Sequence, residues 1–195
     1  PSPTPTPTPT PSPSATPTPT PTPTPSPSPS PSSTEHVTNG SFESGFTAGV
    51  GNGWTKFQLT STATFGQASV NKFDGALSQY WSRGDAAAYD AGVYQVVPVA
   101  PGGGYNISAH IKRQSTLTGT SMRVGYDLTG GTNPAAASVV YTDITGSTDN
   151  VWNTYSATAT ATGSNITIFL RGGHTGTTGG TSSYFYADAV SMLGP

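Results

Sequence analysis

Two groups of residues in this chain combine flat aromatic rings with hydrogen-bonding side chains. The first is spread over three segments. His110 and Lys112, Arg123 and Asp127, and Phe169 and Arg171 occupy the polar sides of stretches in which every second residue is apolar. Phe169 is the informative member. It stands opposite Ile166, Ile168 and Leu170, so it is either open to solvent or covered by a loop. The second group is continuous, Gln79-Tyr80-Trp81-Ser82-Arg83-Gly84-Asp85 running on through Tyr89-Asp90 to Tyr94. There Trp81 and Tyr89 can flank a ligand, with Arg83 and Asp85 as hydrogen-bond partners. Such mixtures suit a sugar. Its C–H faces stack on aromatic rings, and its hydroxyls need polar partners at the rim. Each group also has a plainer reading. If the three segments are not neighbours, the first is a solvated sheet face. The rings of the second can equally fill the end of a core.

Reacting groups are scarce. The chain has no cysteine and no Gly-x-Ser-x-Gly or His-Glu-x-x-His pattern, which removes the common nucleophile and zinc-hydrolase arrangements. Glycoside hydrolysis normally needs two carboxylates facing each other across a cleft. The glutamates are Glu35 and Glu43, the first beside a linker and the second with a structural reading given below. His36, His110 and His174 are far apart and lack metal-ligand spacing. The glycine-rich stretch 171–180 has neither a phosphate-loop lysine nor a strand–helix setting. The expectation is a protein without catalytic activity.

The elements that must position these side chains are strands. In Tyr105-Asn-Ile-Ser-Ala-His-Ile-Lys-Arg113, residues Tyr105, Ile107, Ala109 and Ile111 share one face. Met122, Val124, Tyr126 and Leu128 do the same in the next stretch, and Ile166, Ile168 and Leu170 in a third. Further strands are expected at 54–59, 64–70, 77–81, 93–99, 138–141, 152–161 and 184–192. Turn signals separate them: Pro101-Gly102-Gly103-Gly104, Thr129-Gly130-Gly131, Gly163-Ser164 and Gly172-Gly173. No segment carries a 3.6-residue period. The fold class expected is all-β, an antiparallel β-sandwich or jelly roll over residues 35–195.

Residues 1–34 are different in kind. This Pro/Ser/Thr repeat holds 15 of the 19 prolines and has no charged or aromatic residue. Proline at alternate positions fixes φ and removes backbone donors, and each preceding residue is driven to extended geometry. An extended polyproline-type linker follows, at ~3.1 Å per residue a spacer of roughly 100 Å. A spacer implies an upstream catalytic or surface domain, a chain excised from a longer protein, and a secreted or cell-surface location. Its Ser and Thr are candidates for O-glycosylation. The net charge of −2 provides no basic field for nucleic acid, and no apolar run is long enough to span a membrane.

Four stretches resemble the jelly-roll carbohydrate-binding modules of the galactose-binding-like type, in particular families four, nine and twenty-two. They are Val37-Thr-Asn-Gly-Ser-Phe-Glu43 with Asn52-Gly53-Trp54; Gly92-Val-Tyr-Gln95 with Val97-Pro98-Val99-Ala-Pro101-Gly102; Trp152 and Tyr155 leading to Ile166–Arg171; and Ala187-Asp188-Ala189-Val190-Ser191-Met192. They occur in the family's order. The resemblance implies a non-catalytic polysaccharide-binding module, with Trp54, Trp152 and Tyr155 in core positions. It also implies a structural calcium ion held by Glu43 and Asp188, with Asp74 as a further ligand. The family usually has two successive acidic residues near its end, where this chain has Asp188 and Ala189. A second reading of the same fold is a structural or adhesive module of a cell-surface protein or filament.

Overall fold

The computed structural model describes residues 1–4, 33–85, 87–115, 119–144, 149–175 and 182–195. Most of the expected linker 1–34 lies outside them, as does the second half of the glycine-rich stretch 171–180. The described residues contain strands and turns and no α-helix, so no helix among them is long and apolar enough to cross a membrane.

Three short strands come first, β1 (Thr34–Glu35), β2 (Phe46–Thr47) and β3 (Val50–Gly51). Then follow β4 (Thr55–Thr60), β5 (Thr64–Ala68), β6 (Ser78–Arg83), β7 (Tyr89–Pro98) and β8 (Gly104–Ser115). The last five are β9 (Thr120–Asp127), β10 (Val139–Asp143), β11 (Trp152–Thr160), β12 (Asn165–His174) and β13 (Ser183–Gly194). One sheet has the order β11-β8-β13-β6-β5, with β1 joined to the far end of β13. The other has the order β10-β9-β12-β7-β4, and β2 pairs with β3. Every pairing is antiparallel. This is the β-sandwich expected from the period-two pattern.

The same pattern builds the core. Tyr105, Ile107, Ala109 and Ile111 of β8 and Trp81 of β6 face Val93, Val97, Val124, Ile166, Ile168 and Leu170 of the opposing sheet, all buried. Burying a side chain of this size contributes roughly 1.5–3 kcal/mol, and the alternation determines which half of each strand supplies it. The Trp81 indole N–H bonds the Gly172 carbonyl across the sandwich at 3.2 Å.

One turn signal is overturned. Gly172 and Gly173 are not a turn; β12 runs through them to His174. A Cβ at Gly172 would stand 2.5 Å from the Phe185 ring, and one at Gly173 would stand 2.1 Å from the Tyr89 carbonyl oxygen. These glycines allow close approach of neighbours within a strand. The register of β13 against β8 shifts between Asp188 and Ser191. Ala189 lies in that bulge with φ of 44°, and the Val190 N–H bonds the Gly40 carbonyl. The bulge thus ties the last strand to the first of the resembling stretches.

Candidate functional site

The outward face of the β10-β9-β12-β7-β4 sheet brings together the largest part of the first expected group. Arg171 lies opposite Arg123 on β9, and Phe169 lies between Gly125 on β9 and Tyr94 on β7. One strand further out, Tyr141 of β10 pairs with Gly125 and Asp143 with Arg123. Parity puts all of these on the side away from the core. The Phe169 ring is ringed by Tyr94 at 5.7 Å, Phe57 at 6.2 Å and Tyr141 at 6.3 Å between centroids. It is fully buried. Phe169 is therefore the floor of the face, and its stacking role passes to Tyr94 and Tyr141, which remain half-buried.

Guanidinium groups stand over this floor. Those of Arg171 and Arg123 lie 5.2 and 5.6 Å from the Tyr141 ring centroid, within cation–π range. Arg171 Nε donates to Asp90 Oδ1 at 2.8 Å, its Nη2 to Asp90 Oδ2, and its Nη1 to the Pro134 carbonyl at 2.9 Å. The bonds to Asp90 push the Arg171 pKa up. Arg123 pairs with Asp143 at 3.0 Å. Burial pushes the Tyr141 hydroxyl up. A cleft beside these groups is lined by Asp90, Ser121, Arg123 and His174 among others. Burial, then the Arg83 charge, lowers the His174 pKa, which favours the neutral imidazole at pH 7.

Asp127 sits at the end of the same β9 but belongs to the scaffold. It is fully buried and accepts from the Thr129 N–H at 2.8 Å, Thr129 Oγ1 at 2.7 Å and Ser138 Oγ at 2.8 Å. It pins segment 128–138, whose Pro134 meets Arg171 and Tyr141.

The remaining candidates are elsewhere. His110 and Lys112 are on β8, in the other sheet, so the single groove expected from three stripes does not form. His110 stacks on Phe73 with centroids 3.6 Å apart, and Lys112 Nζ donates to Asn71 Oδ1 at 2.8 Å. Trp81 and Tyr89 are buried in the core, and Tyr89 bonds the Ser183 carbonyl at 3.3 Å. Arg83 is held by Asp85 and the Thr62 carbonyl. Trp81 and Tyr89 thus fill the core rather than flank a ligand, while Tyr80 and Tyr94 of the same stretch stay half-buried on the outward faces. Tyr141 is not among the residues expected from the sequence; its signal there is Gly125, whose missing side chain makes room for the ring. A Cβ there would lie 2.5 Å from Tyr141.

Glu43 and Asp188 converge on the segment 73–77. Asp188 is fully buried. Its Oδ2 accepts the N–H groups of Phe73 at 2.8 Å and Asp74 at 3.1 Å, and its Oδ1 that of Ala189 at 2.7 Å. Glu43 Oε1 accepts those of Ala76 and Leu77, each at 2.7 Å. Asp74 turns its carboxylate to the Gly75 N–H. Calcium takes roughly six to eight oxygen ligands, many of them carbonyls. Here the loop turns donors, not carbonyls, toward both carboxylates, and the described residues contain no cluster of three His, Cys, Asp or Glu suited to a metal. As arranged, these residues do not fit a calcium ion.

No protein-family model matches the chain, and no curated protein matches it. Solved structures do. A family 61 carbohydrate-binding module in complex with β-1,4-galactotriose aligns with a TM-score of 0.56 at 12% identity, over 82% of this chain and 97% of that one. The fold is that of the jelly-roll carbohydrate-binding modules. A family 22 xylan-binding module of Paenibacillus barcinonensis xylanase 10C matches with a TM-score of 0.50 at 17% identity, over 83% of this chain and 92% of that one. The enzymatically active domain of bacteriophage CBA120 tailspike protein 4 matches with a TM-score of 0.55 at 18% identity, over 81% of this chain but 21% of that one. At such identities the likeness establishes the fold of the module, and its function must be argued from its own side chains.

Proposed function

We propose that the module binds polysaccharide, without catalysis, on the outward face of the β10-β9-β12-β7-β4 sheet. The observation that carries this is Tyr141. It is an aromatic ring held over a buried Phe169 floor and flanked by two guanidinium groups. Tyr94 and Tyr141 supply stacking surfaces, and Arg123, Asp143 and the cleft beside Ser121 supply hydrogen-bonding groups at the rim. All are borne on strands, which hold a binding geometry more rigidly than loops do. Asp90 and Asp143 are committed to Arg171 and Arg123. That favours recognition over acid–base chemistry, which needs a carboxylate free to take or give a proton. In the same proposal the Pro/Thr tract tethers the module to a catalytic or surface domain of a secreted protein. Tethering would raise that domain's effective concentration at a glycan.

The full chain should be retained by at least one of β-1,4-galactan, xylan or mixed-linkage β-glucan, and a folded Tyr94→Ala/Tyr141→Ala variant should be retained far less. Equal retention of parent and variant would move the site off this face. No retention of the parent would remove the proposal.

A further inference from the structure

The opposite face of the sandwich carries a second set of rings that the proposed site does not use. In the β11-β8-β13-β6-β5 sheet, Trp81 and Phe185 point into the core. Their neighbours Tyr80, Tyr184 and Tyr186 therefore point outward. Tyr186 pairs with Tyr80 on β6 and with Lys112 on β8, and Lys112 pairs with Trp152 on β11. One row across five strands thus reads Gly66, Tyr80, Tyr186, Lys112, Trp152, so Trp152 faces outward and is not the core residue that the family resemblance implies. Tyr184 sits beside the row, opposite Gln114. The three tyrosine rings lie 6.2–6.3 Å apart, Tyr184 and Tyr186 within 13° of parallel.

The cluster is built rather than incidental. Tyr186 is buried beneath its neighbours, and its hydroxyl is 3.2 Å from Gln114 Oε1. Lys112 Nζ stands 5.8 Å from the Tyr186 ring centroid while bonded to Asn71. Gly66 leaves the space that the Tyr80 ring occupies; a Cβ there would come within 2.6 Å of it. Tyr80 and Tyr184 are left half-exposed, with their flat faces on a rigid strand-borne support.

The chemistry selects the partner. The ionised group in the row is Lys112, which is buried and held by Asn71, so the row offers little charge to an anionic polymer. Of the exposed large hydrophobic side chains, Phe73 reaches the row, edge-on to Trp152 with centroids 5.9 Å apart, and adds a further aromatic ring. The aliphatic ones, Leu59, Val70, Val96, Val140, Val151 and Leu193, do not belong to it, whereas a protein-docking core is largely apolar. What the face offers is aromatic surface edged by phenol, amide and hydroxyl groups. We infer that the face bearing Tyr80 and Tyr184 is a second binding platform, for an uncharged polysaccharide chain. With the first face on the other side of the sandwich, one module would hold two glycan chains.

The test uses the full chain with soluble β-1,4-galactan, xylan and mixed-linkage β-glucan. The variants are Tyr80→Ala/Tyr184→Ala, Tyr94→Ala/Tyr141→Ala and the four-fold combination, each checked for a cooperative unfolding transition. The platform predicts that the Tyr94→Ala/Tyr141→Ala variant keeps a measurable affinity. The four-fold variant should lose at least about 5-fold of it, by analogy with the roughly 5- to 150-fold cost of removing a stacking ring. The parent should also cross-link long polysaccharide, seen as turbidity or raised viscosity, and either double variant should not. Should Tyr80→Ala/Tyr184→Ala unfold the chain, Tyr184→Ala and Gly66→Ala, which displaces the Tyr80 ring, replace it with the same expectation. The inference falls if Tyr94→Ala/Tyr141→Ala alone removes all binding, an outcome that leaves the first site standing. It stands, and the first site falls, if only the Tyr80 and Tyr184 substitutions matter. A parent dimer dissolved by Tyr184→Ala would make the face a protein interface and overturn the inference, and a parent that binds none of the three glycans would overturn both sites.

Discussion

Arg171 and Tyr141 share one acceptor: the Arg171 Nη1 and the Tyr141 hydroxyl each donate to the Pro134 carbonyl at 2.9 Å, with the guanidinium 5.2 Å from the ring centroid. The strand residue Arg171, the edge-strand residue Tyr141 and segment 128–138 are thereby fixed together. Tyr141→Phe keeps the ring and loses one hydrogen bond, so it should cost about 1 kcal/mol of stability and leave glycan affinity close to the parent's. Tyr141→Ala should in addition weaken binding by roughly 1–3 kcal/mol, by analogy with base–aromatic stacking. Denaturant midpoints and titration calorimetry separate the two effects. A Phe variant that binds as poorly as the Ala variant would show that the hydroxyl, not the ring, meets the ligand.

Both Asp188 oxygens and Glu43 Oε1 accept backbone N–H groups. Addition of a strong chelator to protein first loaded with calcium should therefore leave the thermal midpoint unchanged. Glu43→Gln should destabilise equally with and without chelator, because what it weakens is a pair of charge-assisted bonds to Ala76 and Leu77, worth about 1.5–3 kcal/mol each. A chelator-dependent drop of several degrees that disappears in Asp188→Ala would establish calcium at this site.

Asp188 also sets a pH dependence. Burial raises its folded pKa above the ordinary 3.8, against the N–H bonds from Asp74, Phe73 and Ala189 that lower it and with the Glu43 charge adding to the rise. From 3.8 up to the folded value the native state holds this proton more tightly than the unfolded chain does. The contribution is therefore full below 3.8 and declines as pH rises through the folded pKa. Asp127 and Asp85, whose pKa values are lowered, act in the opposite sense. Their contribution is present above 3.8 and lost as pH falls through their folded values. Asp188→Asn should be less stable than the parent, with a deficit that shrinks as pH rises across this window. Urea midpoints between pH 3 and about pH 7 measure it, and a deficit that grows with pH would contradict the assignment.

Trp81 and Arg83 are neighbours with opposite roles. Trp81→Ala empties a core site and removes the bond to Gly172, an expected loss of roughly 3–5 kcal/mol. Arg83→Ala removes the ion pair with the exposed Asp85 and the bond to the Thr62 carbonyl, leaves the core intact, and should cost less stability than Trp81→Ala. Chemical denaturation of both variants checks this. A well-folded Trp81→Ala module that loses glycan binding would return Trp81 to the ligand surface.

The strands were legible because one rule, alternation, acts within a few residues. Tyr105, Ile107, Ala109 and Ile111 had to share a face whatever the neighbouring strand was, and so did Ile166, Ile168 and Leu170. Parity likewise placed Phe169 and Arg171 outside the core, and Tyr80, Tyr184 and Tyr186 could have been read the same way from their alternation with Trp81 and Phe185. Which strands neighbour one another is not local. His110 and Arg123 look equivalent in sequence, yet β8 and β9 enter different sheets and turn their polar sides in opposite directions. Exposure is equally non-local: Phe169 is on the outer side and still fully buried, because Tyr94, Phe57 and Tyr141 arrive from three other strands. The same holds for Glu43 and Asp188, distant in sequence and joined by the amides of a third segment. Sequence alone determined the class of fold and the side of each strand that faces the core, since both follow from the pleat of a single strand. Only the tertiary structure decided which rings share a surface and which charges are already paired, since these depend on strand order and on loops packed across it.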